Sequence, residues 1–243
     1  MTRLLVTVSM AVLAVGTAAG AAGAPPSALH ILFLGNSLTA TNDLPATVDR
    51  IAAATGRRVE YRTIAPGGFA LEDHWNQGDA REALRTGGWD VVVMQQGPSA
   101  LPESQVNLRE WASRWADEAR RVGTTPALLT VWPESYRRGA LKDVIGSYAR
   151  AARAARAELL PGGSAWRLAW RCEPRTPLYG PDGFHPSTTG TYAAALVVYG
   201  RLFKAPLAGL KAPSGIARRV ARRLQASAAR ALGRRVPPAR RCG

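Results

Sequence analysis

Hydrophobic residues fall into short unbroken runs, separated by longer stretches in which they recur every three or four positions. Leu29 to Leu34, Val91 to Met94 and Ala127 to Val131 are apolar almost throughout, and Val59 to Ile64 is a further β-type run. Between them, Leu44 to Thr55, Glu72 to Arg85, Ser104 to Arg121 and Leu141 to Ala157 read as helical. This alternation predicts a parallel sheet flanked by helices, because crossover helices cover both faces and let the strands be hydrophobic on each. The last third is less regular. It offers a short run at Glu158 to Leu160, a helix around Ser164 to Arg171, a loop through Pro174 to Pro186 and a helix from Ser187 to Phe203. A final helix fits Ile216 to Leu232, where Ile216, Val220 and Leu224 stand four apart as one buried stripe.

In open parallel sheets, ligands collect beyond the carboxyl ends of the strands. Four segments occupy that place: Gly35-Asn36-Ser37, Pro66-Gly67-Gly68, Gln95-Gln96-Gly97 and Trp132-Pro133-Glu134. Gly, Asn and Ser are ordinary turn formers, so Ser37 alone implies no chemistry. A nucleophilic serine needs a base to take its proton and a carboxylate to fix that base's tautomer. Of the three histidines, His30 reads as a strand residue and His74 as a surface residue on a polar helix. His185 differs, because it lies in the Gly- and Pro-rich stretch YGPDGFHPS with Asp182 three positions before it.

Gly35-Asn36-Ser37-Leu38-Thr39 after the first strand, paired with Asp182-Gly183-Phe184-His185 near the C-terminus, resembles the SGNH, or GDSL-like, hydrolases. The resemblance implies a three-layer α/β/α sandwich around a central, mainly parallel, flavodoxin-like sheet. It also implies Ser37 as nucleophile, His185 as general base and then acid, and Asp182 as the group that orients it. An oxyanion hole would use the Ser37 backbone N–H and that of Gly68, with Gly67 the neighbouring option. The family's asparagine after the third strand is missing; Gln95 or Gln96 would replace its carboxamide, with Gln95 favoured as the first residue after the strand. Asn42-Asp43 follows the first strand and is no substitute. The expected substrates are small acyl esters, such as O-acetyl groups on glycans, with Gln96, Trp75 and Trp132 as substrate contacts and no metal or other cofactor. An acyltransferase with the same triad, or a non-catalytic envelope or glycan-binding module, are the alternatives.

Two further features bear on location and partners. Arg3, the apolar run from Leu4 to Val15 and Ala22-Gly23-Ala24 form a secretory signal pattern with cleavage expected after Ala24. Residues 25–243 then make one domain, expected to be an exported monomer. Export leaves open whether Cys172 and Cys242 are bridged. The formal charge is +15, and residues 213 to 243 hold nine arginines with no Asp or Glu. A basic C-terminal helix and tail from about residue 213 favours an anionic polymer or envelope surface over nucleic acid for an exported chain. Arginine richness of the source genome is an equally weighted explanation.

Overall fold

β1 (Leu29–Leu34), β2 (Val59–Ile64), β3 (Val91–Met94), β4 (Thr125–Leu129) and β5 (Glu158–Leu160) form one sheet in the order β2-β1-β3-β4-β5. Every pairing is parallel. The computed structural model describes residues 27–235, so the signal segment expected at 1–24 and the residue Cys242 lie outside the described residues. Around the sheet run α1 (Ser37–Ala40), α2 (Leu44–Ala53), α3 (Leu71–Gln77), α4 (Asp79–Thr86) and α5 (Pro102–Arg121). α6 (Leu141–Ala154), α7 (Gly162–Cys172), α8 (Thr188–Leu202) and α9 (Arg218–Ala231) follow. Among the described residues no helix is long and apolar enough to cross a membrane.

Alternate strand residues feed two cores, as the period of two requires. Ile31, Phe33, Val91, Val93, Ala127 and Leu129 face a core completed by α2, α7, α8 and α9. Leu32, Leu34, Val92, Met94 and Leu128 face the opposite core, with α3, α4, α5 and α6. The result is the three-layer α/β/α sandwich. β2 departs from the expected burial: its central residues Glu60, Tyr61 and Arg62 are exposed because it is an edge strand, where charge discourages pairing with another chain.

Local chemistry explains the other differences. The helix expected over Glu72 to Arg85 is two helices, broken at Gly78 with φ +96°. The apolar run expected to continue to Val131 leaves the sheet at Leu129; Thr130, Val131 and Trp132 stay buried in irregular backbone beyond the carboxyl end of β4. The last helix starts at Arg218, two residues after Ile216. β1 connects to β2 on one side and neighbours β3 on the other, so the chain reverses direction across the sheet at β1 and opens a crevice beyond β1 and β3.

Candidate active site

The crevice holds a cavity of about 490 Å³ lined by Ser37, Gly68, Phe69, Gln96, Phe184 and His185 among others. Ser99, Ser104, Asn107, Glu134 and Arg137 give the same cavity a polar lining. Ser37 and His185, 148 positions apart, meet here: the Ser37 Oγ lies 2.9 Å from His185 Nε2. His185 Nδ1 lies 2.5 Å from Asp182 Oδ2, and Asp182 Oδ1 accepts the backbone N–H groups of Phe184 and His185, both at 3.0 Å. The bond to the His185 ring, aided by the Phe184 N–H, pulls the Asp182 carboxyl down to about 2. Asp182 is therefore a carboxylate acceptor, which puts the proton of a neutral His185 on Nδ1 and leaves Nε2 to accept from the serine.

The turn that carries Ser37 is held from below. Asn36 caps α1, its Oδ1 accepting from Leu38 N–H at 3.0 Å. The Asn36 Nδ2 donates to the Phe69 carbonyl at 3.0 Å, fixing the distance between the serine turn and the Gly68 loop. Gly35 has no room for a side chain, since a Cβ there would meet Thr39 Oγ1 at 2.5 Å and Gln95 Oε1 at 2.6 Å. Gly68 is glycine for a different reason: its φ of +77° favours glycine, while a Cβ would meet nothing within 4 Å. Of the two candidate glycines, Gly68 lines the cavity and Gly67 does not. The Ser37 and Gly68 N–H groups have no acceptor among the described residues.

Gln95 has a different place from the one its sequence position suggested. It is 1% exposed and does not line the cavity. Its two Nε2 hydrogens go to Asn36 Oδ1 at 3.0 Å and to the Gln96 carbonyl at 2.6 Å, so neither remains for an oxyanion. Its Oε1 accepts from Asn36 N–H at 3.1 Å and from Thr39 Oγ1 at 2.8 Å. Gln95 braces the turn that carries Ser37. Gln96 is the carboxamide that lines the cavity, with Nε2 donating to Ser99 Oγ at 3.1 Å and Asn107 Oδ1 at 3.3 Å while its Oε1 accepts from Leu71 N–H. Buried Tyr148 pins this loop by donating to the Gln96 and Gly97 carbonyls.

The two tryptophans expected to stack on substrate do neither. Trp132 is 1% exposed and stacked on Trp166, with centroids 3.6 Å apart and planes 7° from parallel. Its Nε1 donates to the Phe184 carbonyl at 3.2 Å, so it holds the histidine loop instead. Trp75 packs against Trp111 and Trp115, with Arg81 over its face, outside the cavity. The aromatic residues at the site are Phe69 and Phe184.

His74, read as a surface residue, is 1% exposed. Its Nε2 lies 2.7 Å from the Gly35 carbonyl, directly before the turn that carries Ser37. Burial lowers its pKa below 6.5, opposed by the Gly35 bond and by Asp73, so the ring is neutral at neutral pH and carries its one proton on Nε2. Asn42 is a second unforeseen contributor. Its Nδ2 donates to the Pro186 carbonyl at 2.7 Å and to Thr191 Oγ1 at 3.1 Å, tying the segment after α1 to the residue after His185. It holds a left-handed φ of 57°, a conformation asparagine tolerates better than most side chains. A helix-start helix of polar residues concealed His74, and nothing in the local sequence marks Asn42 as a clamp.

No family model matches the chain, and no curated relative does. Solved structures do match it. A DUF4886 family protein from Bacteroides uniformis superposes with a TM-score of 0.73 at 18% identity, covering 85% of this chain and 95% of that one. A candidate SGNH hydrolase from Slackia heliotrinireducens gives a TM-score of 0.61 at 28% identity, over 72% of this chain and all (100%) of the other. A family 3 carbohydrate esterase from Clostridium thermocellum gives 0.55 at 16% identity, over 71% and 94%.

Proposed function

We propose that this chain, which has the SGNH/GDSL-like hydrolase fold, is a serine esterase that removes short acyl groups from polar alcohols such as the hydroxyls of glycans. The observation that carries this reading is the continuous line of hydrogen bonds from Ser37 Oγ through the His185 ring to Asp182 Oδ2. As Ser37 Oγ attacks the ester carbonyl, His185 Nε2 takes its proton, and the negative charge that develops on the carbonyl oxygen meets the Ser37 and Gly68 N–H groups. His185 then returns the proton to the departing alkoxide, leaving an acyl-serine. Water attacks that ester by the same route, with its proton passing through His185 back to Ser37 Oγ as the carboxylic acid leaves.

Gln96, the carboxamide that lines the cavity, also has both Nε2 hydrogens engaged, so it can serve as a side-chain donor to the oxyanion only by releasing its longer bond, to Asn107 at 3.3 Å. The lining of Ser99, Ser104, Asn107, Glu134 and Arg137 suits a hydroxyl-bearing leaving group better than a long acyl chain. Export, suggested by residues 1–24, would give the enzyme extracellular glycan esters as substrates.

Turnover of a chromogenic acetyl ester tests the reading. Wild type should be active, Ser37→Ala should be inactive though folded, and a serine-directed phosphonate should label Ser37 alone. Label on another serine, or turnover by the Ser37→Ala variant, overturns it. Faster release of the chromogenic alcohol with an added alcohol acceptor, with the acyl group on the acceptor, assigns an acyltransferase instead.

A further inference from the structure

All seventeen Asp and Glu residues of the chain lie at or before Asp182, whereas twelve of its 32 Lys and Arg lie after it. A genome rich in arginine codons adds cations along the whole chain; it does not clear acids from its last quarter. The fold then gathers these cations. α8 is buried along most of its length, so the charges concentrate on α9 and on the loop that precedes it. Arg201 pairs with Glu158, Arg223 pairs with Glu173, and Arg234 donates to the Gly200 and Ala205 carbonyls. Six cations of this region are exposed and form no ion pair among the described residues: Lys204 and Arg219, which lie elsewhere, and Lys211, Arg218, Arg222 and Arg235.

The last four line one groove. A cavity of about 550 Å³ is bordered by Lys211, Arg218 and Arg222, and a neighbouring one of about 340 Å³ by Arg222, Arg234 and Arg235. The two share Gly209, Arg222 and Gln225, and no Asp or Glu lines either. The groove is preformed. Gln225, 3% exposed, accepts from Gly209 N–H at 3.2 Å and donates to the Leu210 carbonyl at 2.8 Å and to Tyr192 Oη at 3.0 Å, which fixes the loop against α9. Arg218 and Arg222 stand four apart on α9, a like-charge spacing that destabilises a helix unless anions sit between the charges.

We propose that this groove binds a linear acidic glycan. It shares no residue with the catalytic cavity, so the inference stands apart from the esterase reading. Charge complementarity requires an anion, and an elongated groove with several separate cations suits a chain that carries acidic groups at intervals. Single-stranded nucleic acid is held through aromatic platforms, and membranes through exposed large apolar side chains. The exposed large hydrophobics among the described residues are Tyr61, Leu101, Val106, Val122 and Tyr136, none of them on α9 or the loop before it. Residues 236–243 include Arg240 and Arg241 and no acid, so by charge the chain's own end is a poor occupant.

Calorimetric titration of the full chain with heparin fragments, at low and at physiological salt, tests the groove. Arg218→Glu/Arg222→Glu/Arg235→Glu should lower affinity at least about tenfold, well beyond the charge-matched control Arg62→Glu/Arg109→Glu/Arg153→Glu, expected to lose less than about threefold. The single change Arg222→Gln, at the position both cavities share, should lower affinity measurably and serves if the triple variant does not fold. Equal losses in the two triple variants would mean that net charge alone governs binding and would overturn the site. Displacement of heparin by equal concentrations of single-stranded DNA, or equally tight binding to anionic vesicles, would overturn the assignment to glycan.

Discussion

The serine turn and the histidine loop meet across 2.9 Å but are built in opposite ways. The turn is buried: Asn36, Gln95 and His74 are 5%, 1% and 1% exposed, and their side chains bond to one another, to the turn's own backbone and to the Phe69 and Gln96 carbonyls. The loop is open, with the Asp182 and His185 side chains 51% and 33% exposed. It is held by its carbonyls, which accept from Ser135 N–H at Gly183, from Trp132 at Phe184 and from Asn42 at Pro186. Buried polar groups that lose a partner cost the full desolvation of what remains, whereas water replaces a lost partner in an exposed loop. Substitutions in the loop should therefore cost chemistry alone, and substitutions in the turn should cost chemistry and stability together.

The largest separation is expected at Asp182→Asn. The Asn Oδ1 can still accept the Phe184 and His185 N–H groups, so the loop should keep its shape. Its amide donor would face His185 Nδ1 and favour the tautomer whose Nε2 carries the proton, which cannot accept from Ser37. Activity on an acetyl ester should fall about 10⁴-fold with little change in Tm, as measured by steady-state kinetics beside thermal melting. A large drop in Tm would show that the loop carries folding energy after all.

Gln95→Leu should come next and behave differently. Asn36 N–H, Asn36 Oδ1, Thr39 Oγ1 and the Gln96 carbonyl all lose a buried partner. Even after relaxation that is worth about 3 kcal/mol of stability, read from denaturant unfolding. kcat should fall as Ser37 loses its fixed position. If Gln95 were instead an oxyanion donor, kcat would fall with stability intact.

How much of this was legible follows the same division. The sheet could be read because buried parallel strands are unbroken apolar runs, and Ser37, Asp182 and His185 could be singled out because Gly-Asn-Ser and Asp-x-x-His carry the family resemblance at a strand end and in a loop. Both are local patterns. Gln95 was misassigned because position after β3 says which residue comes first, not which way it points: with strand residues alternating faces, Gln95 bonds into the Ser37 turn and Gln96 lines the cavity. Trp132 was misassigned for a related reason, since a large aromatic near a site is equally suited to packing, and Trp166 and the Phe184 carbonyl claim both its face and its N–H. His74 and Asn42 act on residues 39 and 144 positions away, a relation that no local pattern carries.

The smallest expected effect isolates the buried side of the comparison through pH. The His74 pKa in the fold lies below its ordinary 6.5 because burial disfavours the imidazolium, so between those two values the unfolded chain binds a proton that the folded chain does not. This contribution to stability is fully present above about 6.5, the ordinary histidine value, and declines as pH falls from there toward the folded-state value. Asp182, with its carboxyl lowered from 3.8 to about 2, acts only in a separate and more acidic window. Unfolding midpoints should therefore decline from pH 7 toward pH 5 in wild type and decline less in His74→Gln, which has no group to protonate. Gln can place its Nε2 hydrogen where the imidazole Nε2 donates, so His74→Gln should keep kcat within about threefold, while His74→Leu, with no donor for the Gly35 carbonyl, should lose about tenfold with KM little changed. If Gln and Leu lower kcat equally, His74 only fills space beneath the turn, and the hydrogen bond to Gly35 does not hold the nucleophile in place.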